Sequence, residues 1–423
     1  MLRKLKAIAN TDDKKRLISN FFSLSILQGM NFLLPLITFP YLVRVLGVEY
    51  FGFLAFATAT ISYFQVITDY GFNLTATRDI ALHREDPAKL REIFSAVMTI
   101  KVLLMIGSFI VLTIFTFSVE FFAVNWQVYL LTFGMVLGQV LFPVWFFQGL
   151  QRMKYVTYLN IFAKAIFTGA IFLFVKEQSD YMLVPVLNSL GFIIAGLWSL
   201  AIVFKTFSIR FEIQSVQTIK HYLKDGWYVF LSQFKVALFG QSNIVILGLL
   251  TNNVAVGYYS AAEKIMRALS MLSIPITGAL FPYMANDIRT NKVLAIRKLK
   301  KIMKYGTLIY VVLLTLVFIY APQIITLIYT DKMLPSVLVL RIMLLVPLTI
   351  FINNIYGTQI LLNTDRQKEF FKVVLIGAIL NLILCTILSY TYSYIGTAVS
   401  LLIVEVYIMI GMYVYAKKGN EEL

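Results

Sequence analysis

The fold class is decided by apolar runs such as residues 304–329, KYGTLIYVVLLTLVFIYAPQIITLIY. After its first residue this run carries no charge, and a helix needs about 20 mostly apolar residues to cross the hydrocarbon core of a bilayer. The sequence therefore predicts an all-α polytopic membrane protein. About twelve transmembrane helices are expected, near residues 17–40, 51–71, 95–117, 126–149, 156–175, 182–204, 227–250, 255–284, 304–329, 335–356, 371–390 and 393–416.

The composition agrees with a membrane protein and predicts its orientation. The chain is 59% hydrophobic and 14% charged, against about 25% charged residues in soluble domains. Lys and Arg outnumber Asp and Glu by 37 to 21, which in so apolar a chain argues against a nucleic-acid partner. With the N-terminus in the cytoplasm, 28 of the 37 basic residues fall in inside segments and 3 in outside segments. Because cytoplasmic loops are enriched in Lys and Arg, both termini are predicted to be cytoplasmic.

The chain is predicted to consist of two halves with six spans each. The polar stretch KTFSIRFEIQSVQTIKHYLKDG provides a natural linker between them, and GFLAFA from Gly52 is echoed by GYYSAA from Gly257. Such internal repeats are common in transporters. The predicted segments are a cytoplasmic N-terminal segment 1–16, an N-lobe 17–204 with helices 1–6, a cytoplasmic linker 205–226, a C-lobe 227–416 with helices 7–12, and a cytoplasmic tail 417–423.

Enzymatic and metal chemistry have little support in the sequence. The chain has one Cys and two His, and His83 and His221 lie in separate predicted loops. No zinc site or nucleophile–base pair follows from them, and no phosphate-binding Gly-Lys-Ser/Thr loop occurs. We expect a non-enzyme without a cofactor or metal, whose functional residues lie in the spans.

Three charges interrupt the eighth span, in SAAEKIMRALS at residues 260–270. A charge at the bilayer centre costs about 2.5–3.5 kcal/mol on insertion scales. Glu263 and Arg267 are four residues apart and can pair on one helical face. Glu263 can neutralise one of the two cations, which leaves about one positive charge in the span. Either these side chains line a cavity, or they form a structural pair beside a lysine that snorkels to the interface.

Two polar stripes extend the candidate cavity, because polar faces of membrane helices point to protein or water. They comprise Ser232, Lys235, Ser242 and Asn243 in the seventh span, and Asn20, Ser23, Asn31 and Thr38 in the first span.

Lys101, Lys164 and Glu405 also fall within predicted spans. Lys101 and Lys164 lie nearer to the inner surface, where they either snorkel or face the cavity. Glu405 in the last span either pairs with a cation across the bundle or carries a coupling proton. Proton or sodium coupling therefore stays open.

Two segments carry a family resemblance. NFLLPLITFPYLVRVLGVEYFGFLAFATATISYFQVITDYGF, residues 31–72, resembles the start of polysaccharide flippases, and LGVEYFG is its most recognisable part. PVWFFQGLQRMKYVTYLNI, residues 143–161, is similar to the same family. The chain thus resembles the Wzx-type O-antigen flippases of the multidrug/oligosaccharidyl-lipid/polysaccharide exporter superfamily.

The resemblance implies a MATE-like fold with two six-helix lobes around a central cationic cavity, in a bacterial inner membrane. It implies an undecaprenyl-pyrophosphate-linked oligosaccharide as substrate, with membrane lipid, a polysaccharide polymerase and chain-length proteins as partners. Lys and Arg suit a pyrophosphate. We therefore expect Arg267 and Lys264 to bind it with help from Lys235, and the stripes of the first and seventh spans to contact sugar hydroxyls.

Two other functions remain open from the sequence. A cation-coupled multidrug exporter would share the fold, but we would expect a carboxylate in its first span, and residues 17–40 contain none. A membrane glycosyltransferase or polymerase should carry a large outside loop. The longest predicted outside stretch, YAPQIITLIYTDKMLPS, is short and nearly neutral.

Overall fold

A computed structural model describes residues 12–418, without the side chains of residues 12–26, 28, 31–33, 36, 236, 239, 275, 279 and 282. Every regular element in this range is helical. The α-helices are α1 (Asp12–Asp69), α2 (Thr75–Leu82), α3 (Pro87–Ser118), α4 (Glu120–Ala123), α5 (Trp126–Leu141), α6 (Val144–Gly149), α7 (Met153–Phe174), α8 (Leu183–Thr206), α9 (Val216–Leu250), α10 (Asn253–Met271), α11 (Ile274–Thr290), α12 (Lys292–Ile319), α13 (Ala321–Ile328), α14 (Ser336–Met343), α15 (Leu345–Asn353) and α16 (Gln367–Lys418). A π-helical segment, Asn354–Leu361, follows α15, and short 3₁₀ helices cover Gln178–Met182, Asp331–Met333 and Leu362–Thr364.

Side-chain caps start several of these helices where the sequence provides Asp or Asn. The Asp86 carboxylate accepts hydrogen bonds from the N–H groups of Ala88 and Lys89, and Pro87 occupies the first turn of α3. Asn252 caps α10 and Asn291 caps α12 in the same way. These side chains satisfy N–H groups that have no partner within the helix.

The two longest helices are interrupted within their length. α16 has 52 residues and would measure about 78 Å if straight, more than twice the roughly 30 Å thickness of the hydrocarbon core. Its path breaks at Ser393, where φ is 52° and ψ is −138°. α1 breaks at Gly47, where φ is 78°, a conformation that glycine adopts without steric cost.

At least eight stretches of the described residues are long and apolar enough to cross a membrane, or nine if the two parts of α9 form one span. The predicted all-α polytopic membrane protein is thereby confirmed, whereas the number twelve stays a prediction. α10 is not among the eight, because Glu263, Lys264 and Arg267 lower its hydropathy. α16 counts once despite its break at Ser393.

The chain divides into two compact units. Unit 1 comprises Met1–Leu46 and Ala57–Leu238, and unit 2 comprises Gly47–Phe56 and Phe239–Leu423. The division at 238/239 differs from the predicted linker at 205–226. That segment packs within unit 1: the Glu212 N–H donates to Ser95 Oγ at 3.0 Å, and the Tyr222 hydroxyl donates to Glu92 at 3.2 Å.

The end of this segment is held by a charged cluster in unit 1. Arg78 binds Asp225 at 2.8 Å and Asp79 at 2.8 Å. The hydrogen bond to Asp79 raises the pKa of the Arg78 guanidinium, so the cluster keeps its positive member over the whole physiological pH range.

Close helix packing in unit 1 depends on small residues. A Cβ added at Gly134 would meet the Ser189 Cβ at 2.6 Å, and one at Gly138 would meet the Phe192 Cβ at 2.5 Å. The GxxxG spacing in α5 therefore allows α8 to approach closely.

The glycines of the two echoed sequences meet within unit 2. A Cβ at Gly52 would overlap the Asn253 carbonyl oxygen and meet the Gly257 nitrogen at 2.5 Å, and one at Gly257 would overlap the Val48 carbonyl oxygen. The beginning of the second span thus packs directly on the beginning of α10.

Candidate substrate and coupling sites

The charges of SAAEKIMRALS lie together on α10. Arg267 donates to Glu263 Oε1 from Nη2 at 2.8 Å and from Nε at 3.1 Å. The i, i+4 pair expected from the sequence is therefore present. Lys264 is half-buried beside it.

The two members of this ion pair differ in exposure. The Arg267 side chain is 48% exposed, whereas that of Glu263 is 4% exposed. Within the described part of the chain, the second carboxylate oxygen of Glu263 has no hydrogen-bond partner. One carboxylate and two cations give this cluster a net charge of one positive unit. About half of the Arg267 side chain is exposed, and a guanidinium group suits a phosphate.

Arg267 also binds the backbone at the break in α9. Its Nη2 donates to the Gly240 carbonyl oxygen at 3.0 Å, and α9 is interrupted between Lys235 and Gly240. The polar stripe predicted for the seventh span is divided here. Ser232 and Lys235, before the break, are exposed, whereas Ser242 and Asn243, after it, are buried.

A buried hydrogen-bond network connects α9, α10 and α16. The Asn381 amide donates to Asn243 Oδ1 at 2.9 Å and to Ser242 Oγ at 3.2 Å, and the Asn243 amide donates to the Tyr259 hydroxyl at 3.2 Å. Sequence reasoning named Asn243 but missed Asn381 and Tyr259. The isolation of Asn381 in the apolar run LIGAILNLILC was a signal that could have revealed it.

Glu405 lies on the second part of α16 and is buried. Its Oε2 accepts a hydrogen bond from Asn353 Nδ2 at 3.0 Å. One expectation was that Glu405 pairs with a cation across the bundle. Within residues 12–418, no cation forms an ion pair with Glu405. Asn353 directly precedes the π-helical segment, and such segments occur frequently at functional sites.

The π-helical segment is itself tied to α11. Gln359 donates to the Thr277 carbonyl oxygen at 2.9 Å and to Asn354 Oδ1 at 3.1 Å. Polar contacts therefore link Asn353, just before this segment, to Glu405, and Gln359, within the segment, to α11.

A second buried ion pair lies in unit 1. Lys101 Nζ is 3.2 Å from Asp69 Oδ1, its side chain is 2% exposed, and Asp69 Oδ2 accepts from Asn73 at 2.8 Å. Lys101 therefore does not snorkel, because a carboxylate from another helix neutralises it inside the protein.

The remaining predicted cavity residues are not assembled into a site by the structure. Lys164 on α7 is half-buried and Lys235 on α9 is exposed, both in unit 1. The side chains of Asn20 and Asn31 lie outside the described residues. A cavity shared by these four with Lys264 and Arg267 stays a prediction.

Comparison with known proteins identifies the family. A family model described as "Polysaccharide biosynthesis protein" matches residues 17–286. The "Putative O-antigen transporter" of Escherichia coli (strain K12) is 32% identical over 408 residues, which cover 96% of this chain and 98% of that protein. The chain belongs to the polysaccharide biosynthesis protein family. The resemblance to Wzx-type flippases is thereby confirmed.

A second relative is the "Putative O-antigen transporter" of Shigella dysenteriae. It is 29% identical to this chain over 403 residues, which cover 93% of this chain and 98% of that protein.

Solved structures confirm the MATE-like fold of this family member. The lipid II flippase MurJ in its inward closed conformation matches with a TM-score of 0.74 at 15% identity, covering 93% of this chain and 87% of that one. A multidrug resistance MATE family transporter in its inward-facing conformation matches with a TM-score of 0.68 at 12% identity, covering 91% and 94%. At such identities the likeness shows the fold alone.

Between residues 12 and 418, no three His, Cys, Asp or Glu side chains are close enough to hold a metal ion together.

Proposed function

We propose that this protein moves an undecaprenyl-pyrophosphate-linked oligosaccharide from the cytoplasmic to the periplasmic leaflet of a bacterial inner membrane. The family membership, the names of the two relatives and the multi-pass helical fold support this proposal. The basic bias of the predicted inside segments supports an orientation with both termini in the cytoplasm.

The single observation that carries the proposal is the half-exposed side chain of Arg267. Its carboxylate partner, Glu263, is 4% exposed, whereas 48% of the Arg267 side chain is exposed. A pyrophosphate loses hydration when it leaves water, and Arg can replace that hydration with paired N–H donors. Lys264, one position after Glu263, adds a second cation. In this proposal Arg267 and Lys264 bind the pyrophosphate, and Lys235 assists.

Alternating access is proposed as the mechanism. The chain passes from one unit to the other at 46/47, at 56/57 and at 238/239. Gly47 follows the first crossing with a φ of 78°, and the break in α9 lies next to the third. These are positions where backbone rotation costs little, as hinges require.

Glu405 is the proposed coupling carboxylate, with a proton or a sodium ion as the coupling ion. It is buried, and it accepts a hydrogen bond from the neutral Asn353 amide. A buried carboxylate without a cationic partner binds a cation more readily than a paired one.

The test of the pyrophosphate site is a double-mutant cycle in a strain that lacks its chromosomal copy of this gene. Wild type, Glu263→Gln, Arg267→Gln and the double variant are compared for surface glycan, accumulated lipid-linked units and membrane abundance. Arg289→Gln is the matched control, since Arg289 is an exposed arginine in the last turn of α11.

We expect Glu263→Gln and Arg289→Gln to export glycan normally. Arg267→Gln and the double variant should lose export by about tenfold or more, as expected for one lost charge-assisted hydrogen bond. A purely structural pair gives a different pattern: both single variants lose export through low abundance, and the neutral Gln–Gln double variant recovers it. That pattern would overturn the role of Arg267.

The multidrug exporter remains the second candidate because it shares the MATE-like fold. If the protein is a drug exporter, drug resistance should depend on this gene, and glycan export should be normal in a strain that lacks the gene. A membrane glycosyltransferase is less compatible, because the relatives are named as transporters.

A further inference from the structure

A long apolar groove runs along unit 2 between α11 and α12. Its volume is about 540 Å³, within the range of ligand pockets. Its walls are formed by Leu272 from the turn before α11, by Ile276, Tyr283 and Met284 from α11, and by Lys298, Lys301, Ile302, Tyr305, Gly306, Ile309, Tyr310 and Leu313 from α12, with Phe351 of α15 as the floor.

The groove is accessible from the side and is shaped by one glycine. Ile276 is 53% exposed and Ile309 is 67% exposed, so apolar wall residues are open to the surroundings. A Cβ at Gly306 would overlap the Phe351 ring. Glycine therefore lets α12 settle on Phe351 and gives the groove its floor.

The end of the groove is strongly basic. Residues 292–304, KVLAIRKLKKIMK, contain six Lys or Arg and no acidic residue. Lys298 is fixed in place by Asp287 at 2.7 Å and by the Tyr283 hydroxyl at 3.1 Å. Lys301 is exposed, and the described residues offer it no carboxylate within ion-pair distance. The groove thus ends at one compensated and one uncompensated ammonium group.

The length of the groove matches one leaflet of a bilayer. Lys301 and Leu313 are twelve residues apart on α12, which corresponds to about 18 Å along a helix. Half of the hydrocarbon core measures about 15 Å. An acyl chain anchored by its head group at Lys301 would therefore end near Leu313.

We propose that this groove binds an anionic phospholipid, with the phosphate at Lys301 and one acyl chain along α12. Basic pockets between membrane helices bind anionic head groups in this way, and the positive-inside count places the basic end at the cytoplasmic leaflet. A polyprenyl chain is much longer than one leaflet, so a phospholipid fits the groove better than the lipid-linked oligosaccharide does. The proposal does not depend on the proposed transport function.

The test is native mass spectrometry of the full-length protein, purified in detergent and washed free of lipid. Dioleoyl phosphatidylglycerol is added, and dioleoyl phosphatidylcholine and inorganic phosphate serve as the comparison probes. Lys301→Gln is matched with Lys304→Gln, one turn further along α12 and outside the groove. Ile309→Trp fills the groove and is matched with Leu308→Trp, an equally apolar exposed neighbour.

The wild type should retain phosphatidylglycerol about fivefold better than phosphatidylcholine, as expected for one cation near a head group. Lys301→Gln should abolish this preference, and Ile309→Trp should reduce binding of both lipids, while their matched partners behave as wild type. Equal binding by Lys301→Gln and Lys304→Gln, or unchanged binding by Ile309→Trp, would overturn the proposal. Full competition by inorganic phosphate would also overturn it, since the site would then be an anion site and not a lipid site.

A second measurement does not depend on variants. Phosphatidylglycerol with a diazirine in its acyl chain should crosslink to peptides that contain residues 302–313. Crosslinks confined to other helices would exclude this groove as the lipid site.

Discussion

The two units handle buried charge in opposite ways. In unit 1, Lys101 is 2% exposed and is neutralised by Asp69 from another helix. In unit 2, Arg267 is 48% exposed and is paired with a carboxylate on its own helix. The Lys101–Asp69 pair is therefore enclosed by the protein, whereas the Arg267–Glu263 pair has a half-exposed cation.

The difference teaches which charge is available for function. A buried pair is costly to break, because each member left alone is an uncompensated charge in a low-dielectric interior. A half-exposed cation can exchange its partner for water or for a ligand at much lower cost. Mere presence of a lysine or arginine within an apolar span therefore does not identify a binding site.

The largest effect is expected for the pair in unit 1. Lys101→Met or Asp69→Asn should each lower the free energy of unfolding by about 3–5 kcal/mol, because either leaves one charge buried alone. Thermal unfolding and membrane abundance measure this effect. Lys89→Met is the matched control on α3, since the Lys89–Glu92 pair is about one-third exposed and should cost at most about 1 kcal/mol. Equal losses for Lys101→Met and Lys89→Met would contradict the contrast between closed and open pairs.

A smaller loss of stability is expected at the α5–α8 contact of unit 1, where the packing involves no charged side chain. Gly138→Val should cost about 1–3 kcal/mol, because its side chain would collide with Phe192 in a tightly packed contact. Gly107→Val is the control on α3, where a Cβ meets no atom within 4 Å. If both variants unfold at the same temperature, the close α5–α8 contact does not limit stability.

For unit 2 we expect a small change in stability. Glu263→Gln should lower the free energy of unfolding by at most about 1 kcal/mol, because Arg267 is half-exposed and keeps its hydrogen bond to the Gly240 carbonyl oxygen without its partner. The measurement is thermal unfolding in detergent beside Asp69→Asn. A loss as large as that of Asp69→Asn would show that the α10 pair is as closed as the pair in unit 1.

The smallest effect on stability is expected at Glu405. Glu405→Gln should be nearly neutral for unfolding, since a Gln oxygen still accepts the hydrogen bond from Asn353. Glycan export by this variant should be reduced and should no longer respond to a protonophore or to sodium removal. Glu49→Gln, at an exposed carboxylate, should export as the wild type does. Unaltered, gradient-dependent export by Glu405→Gln would exclude Glu405 as the coupling group.

Part of the candidate site was predictable because it is local. The spacing of Glu263 and Arg267 defines one helical face, so their pairing follows from helix geometry. The partners of Lys101 and Glu405 did not follow, because Asp69 and Asn353 lie 32 and 52 positions away. The periodicity of one helix does not indicate which residue of another helix will be its partner.

The sequence by itself determined the membrane class, the helical content, the family and the helix caps at Asp86, Asn252 and Asn291. These features depend on local hydrophobicity, local hydrogen bonding and recognisable motifs. Only the tertiary structure decided that residues 205–226 pack within unit 1, that Asn381 joins Asn243 and Tyr259, and that Gly52 meets Asn253. Such contacts arise when distant helices bury their polar groups and small residues against each other, and sequence distance does not encode which helices will meet.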